Sequence, residues 1–589
     1  MENNRRSFLK KTAIAGIGLG THPFMSRAAK DTSTGTRAAD PAEDGKQFRL
    51  YAEILSFALE RPEQELFIQR LEKAIPEYGI DEVWIHGFNL IDDWVTWSEF
   101  PKLRRELDAG RVAAYRKQLQ RLKKHGVRIT LSGRGPDVPD GFFEAYPEAR
   151  KIYSGKFQEF IRKSVADMFR VLPEADAYEL YLWETPFLND VDFFKGMYHW
   201  AESHQAANLS PTFYYDRSDF LSETLKAYAQ GVQDAGKKFA FLTFSHVPWQ
   251  ENLIIEALRK IDHSIPIVLD HKVQPGDWTP HRLANNVMLK ITDREALLSY
   301  DAVGEYWGQS QIPYCYPEEI QQRLQHALKH NRSINALKAR VFWANGHNLF
   351  GNFDEVNFYA LSQLAKNPNM PIEQIWTGWA EKRFGREAAP RVIAALERTN
   401  EIANRFYYIH GAWVQNHSAL SNLPYLESHV LQYAQSMIEW NPADFRTNAL
   451  LWELTENPRE RTIRWVVAER EEALRLNRLS MEDIESVRAV LPPAEYDKLK
   501  HQFTLQRHFI ETAIPHIEAF LRYRIQKQNP SEDNRKGFEY ALERLEAKAL
   551  EVERLYREQS PILSRKLIDE YVRQIRLAFP APESDNIKK

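Results

Sequence analysis

Three acidic residues stand where chemistry could take place, because each lies at or beyond the end of a β-rich run. Glu184 follows the fourth such run of the chain, Asp277 lies beyond the sixth, and Glu305 lies in the seventh. Two carboxyl groups suffice to cleave a glycosidic bond: a protonated one donates to the leaving oxygen, and an ionised one activates water or attacks the sugar. Trp183 and Pro186 flank Glu184, and apolar surroundings raise the pKa of a carboxyl group, which suits an acid. Since a single such residue is more often an ion-paired surface group, the prediction depends on all three meeting at one site.

The elements that must position these residues are eight short β-rich runs, which alternate with longer amphipathic stretches. The runs are Phe48–Leu55, Glu82–His86, Val127–Leu131, Tyr178–Trp183, Phe239–Phe244, Pro266–Asp270, Ala302–Tyr306 and Arg340–Ala344. Strands that alternate with helices pair in parallel, and eight such units predict a closed (β/α)8 barrel of the TIM type, an α/β fold. A doubly wound open sheet is the alternative, although no Gly-x-Gly-x-x-Gly follows the first run to support its dinucleotide-binding form.

Polar and aromatic side chains follow the predicted strands at their carboxyl ends, where a barrel of this type has its active site. The candidates for substrate binding on this ground are His86, Asn89, Arg134, Trp183, His246, Trp278, Trp307 and Asn345. The chain also contains 15 Trp, 25 Tyr and 32 Phe. Aromatic rings stack on the apolar faces of sugars, so this composition is compatible with a carbohydrate ligand.

Two local motifs resemble those of glycoside hydrolase family 67, the α-glucuronidases. The run Glu305-Tyr306-Trp307-Gly308-Gln309 resembles the family's Glu-Tyr-Leu-Gly-Gln motif. Lys272 and Asp277 stand in the positions of the Lys and Asp of its Lys-Asn-Gly-Pro-x-Asp motif, and the interval from Asp277 to Glu305 is also similar. Residues 357–359 and 364–368 are similar to a further segment of the family, so the resemblance covers about residues 80 to 400 with gaps.

The resemblance implies an inverting mechanism and specific roles for these residues. Asp277 and Glu305 would together position and deprotonate the water, Glu184 would be the acid, and Lys272 would bind the carboxylate of a uronic acid. The family's strand-five Trp-Arg pair, whose arginine helps to hold the substrate carboxylate, is replaced by Phe241-Leu242. His246 and Arg134 are the candidate substitutes. We also expect no counterpart of the N-terminal α+β domain that the family usually carries.

The leading expectation is an exo-acting, inverting hydrolase that removes a terminal uronic acid, or a related sugar, from a polysaccharide-derived oligosaccharide. One alternative is a retaining barrel glycosidase that uses Glu184 and Glu305 alone. Another is a non-catalytic, exported carbohydrate-binding protein. We expect no cofactor and no metal, because no His-Glu-x-x-His or other ligand spacing occurs among the histidines near strands five and six.

The first 30 residues predict a bacterial twin-arginine export signal, which places the protein in the periplasm or outside the cell. Arg5-Arg6 precede Ser7-Phe8-Leu9-Lys10, and the weakly apolar stretch that follows is too short to span a membrane. We expect a linker over residues 31–46, the catalytic barrel over 47–370 and a helical domain over 371–589. The net charge of -3 over 589 residues gives no reason to expect nucleic acid as a partner, and the single cysteine excludes an internal disulfide.

The predicted C-terminal domain is entirely helical. A stripe with heptad-like spacing indicates a helix face packed on other helices, and it consists of Phe538, Leu542, Leu545, Ala549, Val552 and Tyr556. Ser531 is the expected N-cap of this helix. The long helices make a homodimer plausible, and we assign them no chemistry.

Overall fold

Eight parallel strands close into one barrel, in the order of the chain. The computed structural model describes residues 48–150, 155–182, 211–245, 248–273, 283–343, 347–409, 412–413, 415, 417–427, 453–454, 456–556 and 560–579. The strands are β1 (Arg49–Leu55), β2 (Glu82–Phe88), β3 (Arg128–Arg134), β4 (Ala177–Tyr181), β5 (Lys238–Leu242), β6 (Val268–Lys272), β7 (Ala296–Tyr300) and β8 (Ile334–Arg340). The TIM-type barrel is confirmed, and the doubly wound open sheet is wrong. The predicted export signal and linker, residues 1–46, lie outside the described residues.

Alternation along each strand separates an inner from an outer set of side chains. In β1, Leu50, Ala52 and Ile54 join the large hydrophobic core beneath the helices, whereas Tyr51 packs with Trp84 of β2 inside the barrel. Small and apolar residues of the other strands complete this inner cluster, namely Ala240, Leu297 and Ala336. Because successive side chains of a strand point to opposite faces, Glu53 also lies inside, nearer the carboxyl end.

The helices that cover the barrel follow the strands in sequence. They are α1 (Glu65–Tyr78), α2 (Ala109–Lys123), α3 (Lys156–Val171), α4 (Pro211–Asp234), α5 (Pro248–Arg259), α6 (Asn286–Lys290), α7 (Pro317–His330) and α8 (Glu355–Lys366). Shorter helical turns occur at Phe57–Glu60, Pro62–Gln64, Leu90–Asp93, Phe142–Ala145, Pro147–Arg150 and Leu423–Tyr425. The start of α2 is capped by Asp108, whose carboxylate accepts hydrogen bonds from the backbone N–H groups of Gly110 and Arg111.

Strands seven and eight were predicted about six residues too late. The run Ala302–Tyr306 is not a strand, because Asp301 accepts the backbone N–H of Glu305 at 2.6 Å and closes a turn directly after β7. The eighth strand was not predicted at Ile334–Arg340 because Lys338 and Arg340 introduce charges into a buried strand. Both side chains point into the barrel, where carboxylates neutralise them, so the usual depletion of charge in a buried strand does not hold here.

The C-terminal region contains six long helices among the residues that the structure describes. They are α9 (Ile372–Phe384), α10 (Ala389–Phe406), α11 (Glu460–Ser486), α12 (Pro493–Gln528), α13 (Glu532–Tyr556) and α14 (Arg565–Ala578). Two antiparallel strand pairs accompany the barrel and this region, β9 (Phe342–Trp343) with β10 (His347–Asn348) and β11 (Tyr408–Ile409) with β12 (Ala412–Trp413). The predicted stripe of α13 is buried from Phe538 to Val552, and the hydroxyl of Ser531 accepts the N–H of Asn534 as the expected cap.

The helical region contacts the barrel at the chain that follows β7. Gln502 of α12 donates to the backbone oxygen of Ser310 at 3.0 Å, and Gln506 reaches that of Pro313. The segment carrying Glu305 is therefore supported from the helical side. Within the described ranges, none of these helices has the length and apolar character required to cross a membrane.

Candidate active site

A layer of charged side chains fills the barrel between its apolar inner cluster and its carboxyl end. Lys338 of β8 stands at the centre of this layer and is 1 % exposed. Its Nζ lies 2.8 Å from Glu53 Oε2 of β1 and 3.5 Å from Glu179 Oε2 of β4, and it contacts a carboxylate oxygen of Asp270 of β6. Four strands thus contribute to one buried ionic cluster, which only barrel closure can assemble.

Arg340, two residues along β8, continues the cluster towards the mouth of the barrel. Its Nε lies 2.8 Å from Glu53 Oε1, and its Nη1 lies 2.5 Å from Glu305 Oε2. The guanidinium has several donors in one plane and can therefore hold two carboxylates in fixed directions. Lys338, Glu53, Arg340 and Glu305 form a chain of alternating charge that leads from the interior to the mouth.

Glu305 is buried, and both of its carboxylate oxygens have described partners. Oε2 accepts from Arg340, and Oε1 lies 3.1 Å from Nδ1 of His417, which follows α10 in the helical region. Burial would raise the pKa of Glu305, but the charges of Arg340 and Lys272 and the hydrogen bond from His417 together lower it. Glu305 is therefore ionised at neutral pH.

The pKa values of two buried acids of the cluster are shifted in opposite directions. Burial would raise the pKa of Glu53, but Lys338 and Arg340 hold it well below its ordinary value. Burial raises the pKa of Glu179 well above its ordinary value, Lys338 only partly offsets this, and the charges of Asp270 and Glu53 add to the increase.

His86 and Lys272 are brought to the same mouth, as predicted from the sequence. His86 of β2 is buried, its Nδ1 lies 3.3 Å from Ser132 Oγ, and that hydroxyl donates to Glu179 Oε2 at 2.5 Å. Burial lowers the pKa of His86 to about 3, so its ring is neutral. Lys272 is the last residue of β6, and its Nζ lies 4.7 Å from the centre of the Phe244 ring.

Other predicted residues take different positions. Arg134 ends β3 and Asn89 follows β2, and both are exposed at the carboxyl end of the barrel. Trp307 is 3 % exposed, stacks on Tyr314 and donates its indole N–H to Tyr408 at 2.6 Å. Its ring therefore supports the Glu305 segment from behind and is not available to a sugar. Further predicted site residues lie outside the described residues, namely Trp183, Glu184, His246, Asp277, Trp278 and Asn345.

The segment that carries Glu305 is fixed by an unusual backbone path. Gly308, Gln309 and Ser310 all have positive φ values, of 107°, 50° and 57°. A Cβ atom on Gly308 would lie 2.2 Å from a side-chain carbon of Ile312, so this position requires glycine on steric grounds as well. The Gly and Gln of the Glu-Tyr-Trp-Gly-Gln motif thus serve to hold Glu305 in place.

The sequence did not identify Arg340 as the ion-pair partner of Glu305. It also did not identify Lys338 or His417 as residues of the site. The signal for the first two was available, because Lys-x-Arg in a strand next to an inward Glu on the neighbouring strand indicates buried ion pairs. His417 had no comparable signal, since it follows the barrel by more than seventy residues.

The chain has a structural neighbour with the same fold. It superposes on a family GH138 enzyme targeting pectin rhamnogalacturonan II with a TM-score of 0.57 and 12 % sequence identity, covering 90 % of this chain and 83 % of that one. At this identity the similarity shows a shared fold. No protein-family model and no curated protein matches the sequence, so the resemblance to family 67 stays a prediction.

Two weaker structural matches are also glycoside hydrolases. A family GH115 4-O-methyl-α-glucuronidase with specificity for decorated arabinogalactans has a TM-score of 0.39 at 12 % identity, covering 90 % of this chain and 61 % of that one. An O-GlcNAc hydrolase mutant from Thermobaculum terrenum has a TM-score of 0.39 at 10 % identity, covering 90 % and 94 %. Scores this low do not establish a common fold and carry no argument.

Proposed function

We propose that the chain is an exported glycoside hydrolase that removes a terminal uronic acid, or a related sugar, from a polysaccharide-derived oligosaccharide. The observation that carries the proposal is the buried, ionised carboxylate of Glu305 at the mouth of the barrel, bound by Arg340. An ionised carboxylate in this position can deprotonate a water molecule in an inverting mechanism or attack the sugar in a retaining one.

Glu184 is the proposed acid, and Asp277 shares the proposed role of base with Glu305. The ends of the described strands support both assignments. Glu184 comes three residues after β4 ends at Tyr181, and Asp277 comes five residues after β6 ends at Lys272. The proposal for both acids rests on their short distance in sequence from strands that end at the barrel mouth.

Cationic groups at the mouth support an acidic sugar as the substrate. Lys272 ends β6 and acts electrostatically on Glu305, and Arg134 ends β3 at the same end of the barrel. Lys272 and Arg134 are the proposed partners of the sugar carboxylate because both are cationic and both end strands at this mouth. The family resemblance implies the same role for Lys272.

Replacement of Glu305 by Gln tests the proposal. The purified protein is assayed on oligosaccharides with terminal uronic acids, including pectin-derived ones, and reducing ends are measured. Glu305→Gln removes the ionised carboxylate with little change in volume, so we expect turnover to fall by about 10³-fold or more. The matched control is Glu295→Gln, the same change at the opposite end of the barrel, where Glu295 pairs with Arg49.

The product anomer separates the two hydrolytic mechanisms. NMR early in the reaction shows inversion if water is activated by the carboxylates and retention if Glu305 is the nucleophile. Near-wild-type activity of Glu305→Gln would remove Glu305 from the mechanism. Sugar binding without product on the whole panel would instead favour the non-catalytic carbohydrate-binding protein.

The export proposal depends on Arg5 and Arg6 and is tested separately. Replacing both by Lys keeps the charge and should block translocation, because the twin-arginine pair is read by a receptor. Fractionation of bacterial cells expressing the full chain should show periplasmic protein for the native sequence and cytoplasmic protein for the variant. Equal periplasmic amounts would contradict this route.

A further inference from the structure

His417 reaches Glu305 although it belongs to a part of the chain remote from the barrel. Its Nδ1 lies 3.1 Å from Glu305 Oε1, and its ring stacks on Tyr306 with a centroid separation of 5.3 Å. The side chain is 54 % exposed, whereas that of Glu305 is 5 % exposed. The imidazole of His417 is therefore far more accessible to solvent than the carboxylate that it contacts.

The turn that carries His417 is locked to the segment that carries Glu305. The hydroxyl of Ser418 donates to the backbone oxygen of Glu305 at 2.8 Å and accepts the N–H of Gly308 at 2.8 Å. Gln309 donates its amide to the backbone oxygen of His417 at 2.8 Å. These reciprocal bonds fix both segments as one unit.

The backbone of this turn is held in an uncommon conformation. His417 and Ser418 have φ values of 43° and 70°, in the left-handed region. Non-glycine residues rarely adopt this conformation, and it persists only where surrounding contacts impose it. Strain of this kind, located directly against an ionised carboxylate, marks the turn as a part of the site.

The charged groups around Glu305 differ in whether they can titrate near neutral pH. Arg340 of β8 and Lys272 of β6 act on it as cations, Glu53 acts through Arg340, and Asp301 accepts its backbone N–H. His417 is the described neighbour whose residue type ordinarily changes charge between pH 5 and 8. A donor at Nδ1 favours the ionised form of Glu305 in either protonation state of the ring.

We propose that His417 is a positioning residue that the helical region supplies to the barrel, and that it fixes the Oε1 oxygen of Glu305 and keeps this carboxylate ionised under mildly acidic conditions. This inference rests on the proposed role of Glu305 in hydrolysis. It makes the helical region a component of the active site and gives the enzyme an activity profile that extends to acidic pH.

The pH dependence of kcat/KM tests the inference in two variants. His417→Ala removes the donor, so the pKa of Glu305 should rise and the acidic limb of the profile should move up by about one pH unit, a tenfold loss of activity on that limb. His417→Asn keeps an N–H donor near the Nδ1 position but cannot titrate, so it should restore the limb towards its native position. His125→Ala is the matched control, since His125 lies 3.4 Å from Glu72 on the outside of the barrel.

A measurement without substrate separates this inference from the proposed function. The difference in Tm between the native protein and Glu305→Gln, followed from pH 3 to pH 8, reports the ionisation of Glu305. Because its pKa is lowered in the folded state, its stabilising effect should be present above the unfolded pKa and be lost as the pH falls. In the His417→Ala background this loss should occur at a higher pH. An unchanged difference curve would overturn the role of His417, whatever the activity on sugars.

Discussion

The ion pairs at the two ends of the barrel are arranged differently. At the amino end of the strands, Arg49 pairs with Glu295 at 2.5 Å and Arg128 pairs with Glu82 at 2.8 Å, and each cation has one carboxylate among the described ion pairs. The Arg49 and Glu295 side chains are 31 % and 38 % exposed. This end consists of separate pairs, and the arginine of each pair is partly exposed to water.

At the carboxyl end, charges are shared among several partners. Lys338 faces three carboxyl groups and Arg340 faces two, and all of these groups are buried. A linked network of this kind fixes each member through the others. The linked network lies at the end of the barrel where TIM-type enzymes have their active sites.

The largest expected stability difference between the two ends comes from removing a lysine. Lys338→Met removes the lysine that pairs with the buried carboxylates of Glu53 and Asp270. We therefore expect the free energy of unfolding to fall by about 3–5 kcal/mol. Lys238→Met, at the exposed amino end of β5, should change it by less than about 0.5 kcal/mol. Urea denaturation followed by far-UV circular dichroism measures both, and equal losses would abolish the distinction between the ends.

Smaller changes of Tm are expected when two acids at the carboxyl end, Glu53 and Glu179, are replaced by Gln. The two changes should have opposite signs. Glu53 has a lowered pKa and stabilises the fold above its unfolded pKa, so Glu53→Gln should lower Tm at neutral pH. Glu179 has a raised pKa, and its stabilising effect is lost as the pH rises through the folded value. Glu179→Gln cannot ionise, so its Tm relative to the native protein should increase from pH 5 to pH 9. A parallel decrease of Tm in both variants would contradict the raised pKa of Glu179.

The smallest effect is expected at the amino end. Arg49→Met breaks a half-exposed pair, and such pairs contribute about 1 kcal/mol or less. The loss should shrink further as salt rises from 0.05 to 0.5 M, because exposed charges are screened. Hydrolytic activity should not change. A loss as large as that of Lys338→Met would show that both ends depend on buried charge alike.

The sequence predicted much of the barrel because periodicity is a local property. β1 to β6 lie within two residues of their predicted starts, and the stripe of α13 from Phe538 to Val552 is buried as expected. The predicted positions of β7 and β8 were wrong because the local sequence pattern did not match the structure there. The apolar run after Asp301 forms a turn. The charged run that ends at Arg340 forms a buried strand.

The site was predicted only in part, because its pairings are long-range. Glu305 could be selected from its place in a predicted strand and from a motif, and Lys272 from the motif that resembles family 67. Arg340 reaches Glu305 from β8, the strand that pairs with β7, and its signal was the charged pattern of that strand. His417 reaches Glu305 from a strained turn of the helical region and had no comparable signal. Distances of this kind follow from tertiary packing and not from residue spacing.

The position of Lys338 and Arg340 on the final strand has a consequence for how the molecule is made. Until β8 docks between β7 and β1, the inward acids of the earlier strands have no lysine or arginine from β8 to neutralise them, and an incomplete barrel would have to keep them hydrated or protonated. Docking of β8 supplies both counter-ions, Lys338 and Arg340, in one step because both belong to this strand. A ribosome-bound or truncated chain that ends before residue 338 therefore carries the acids of the network without the groups that organise them.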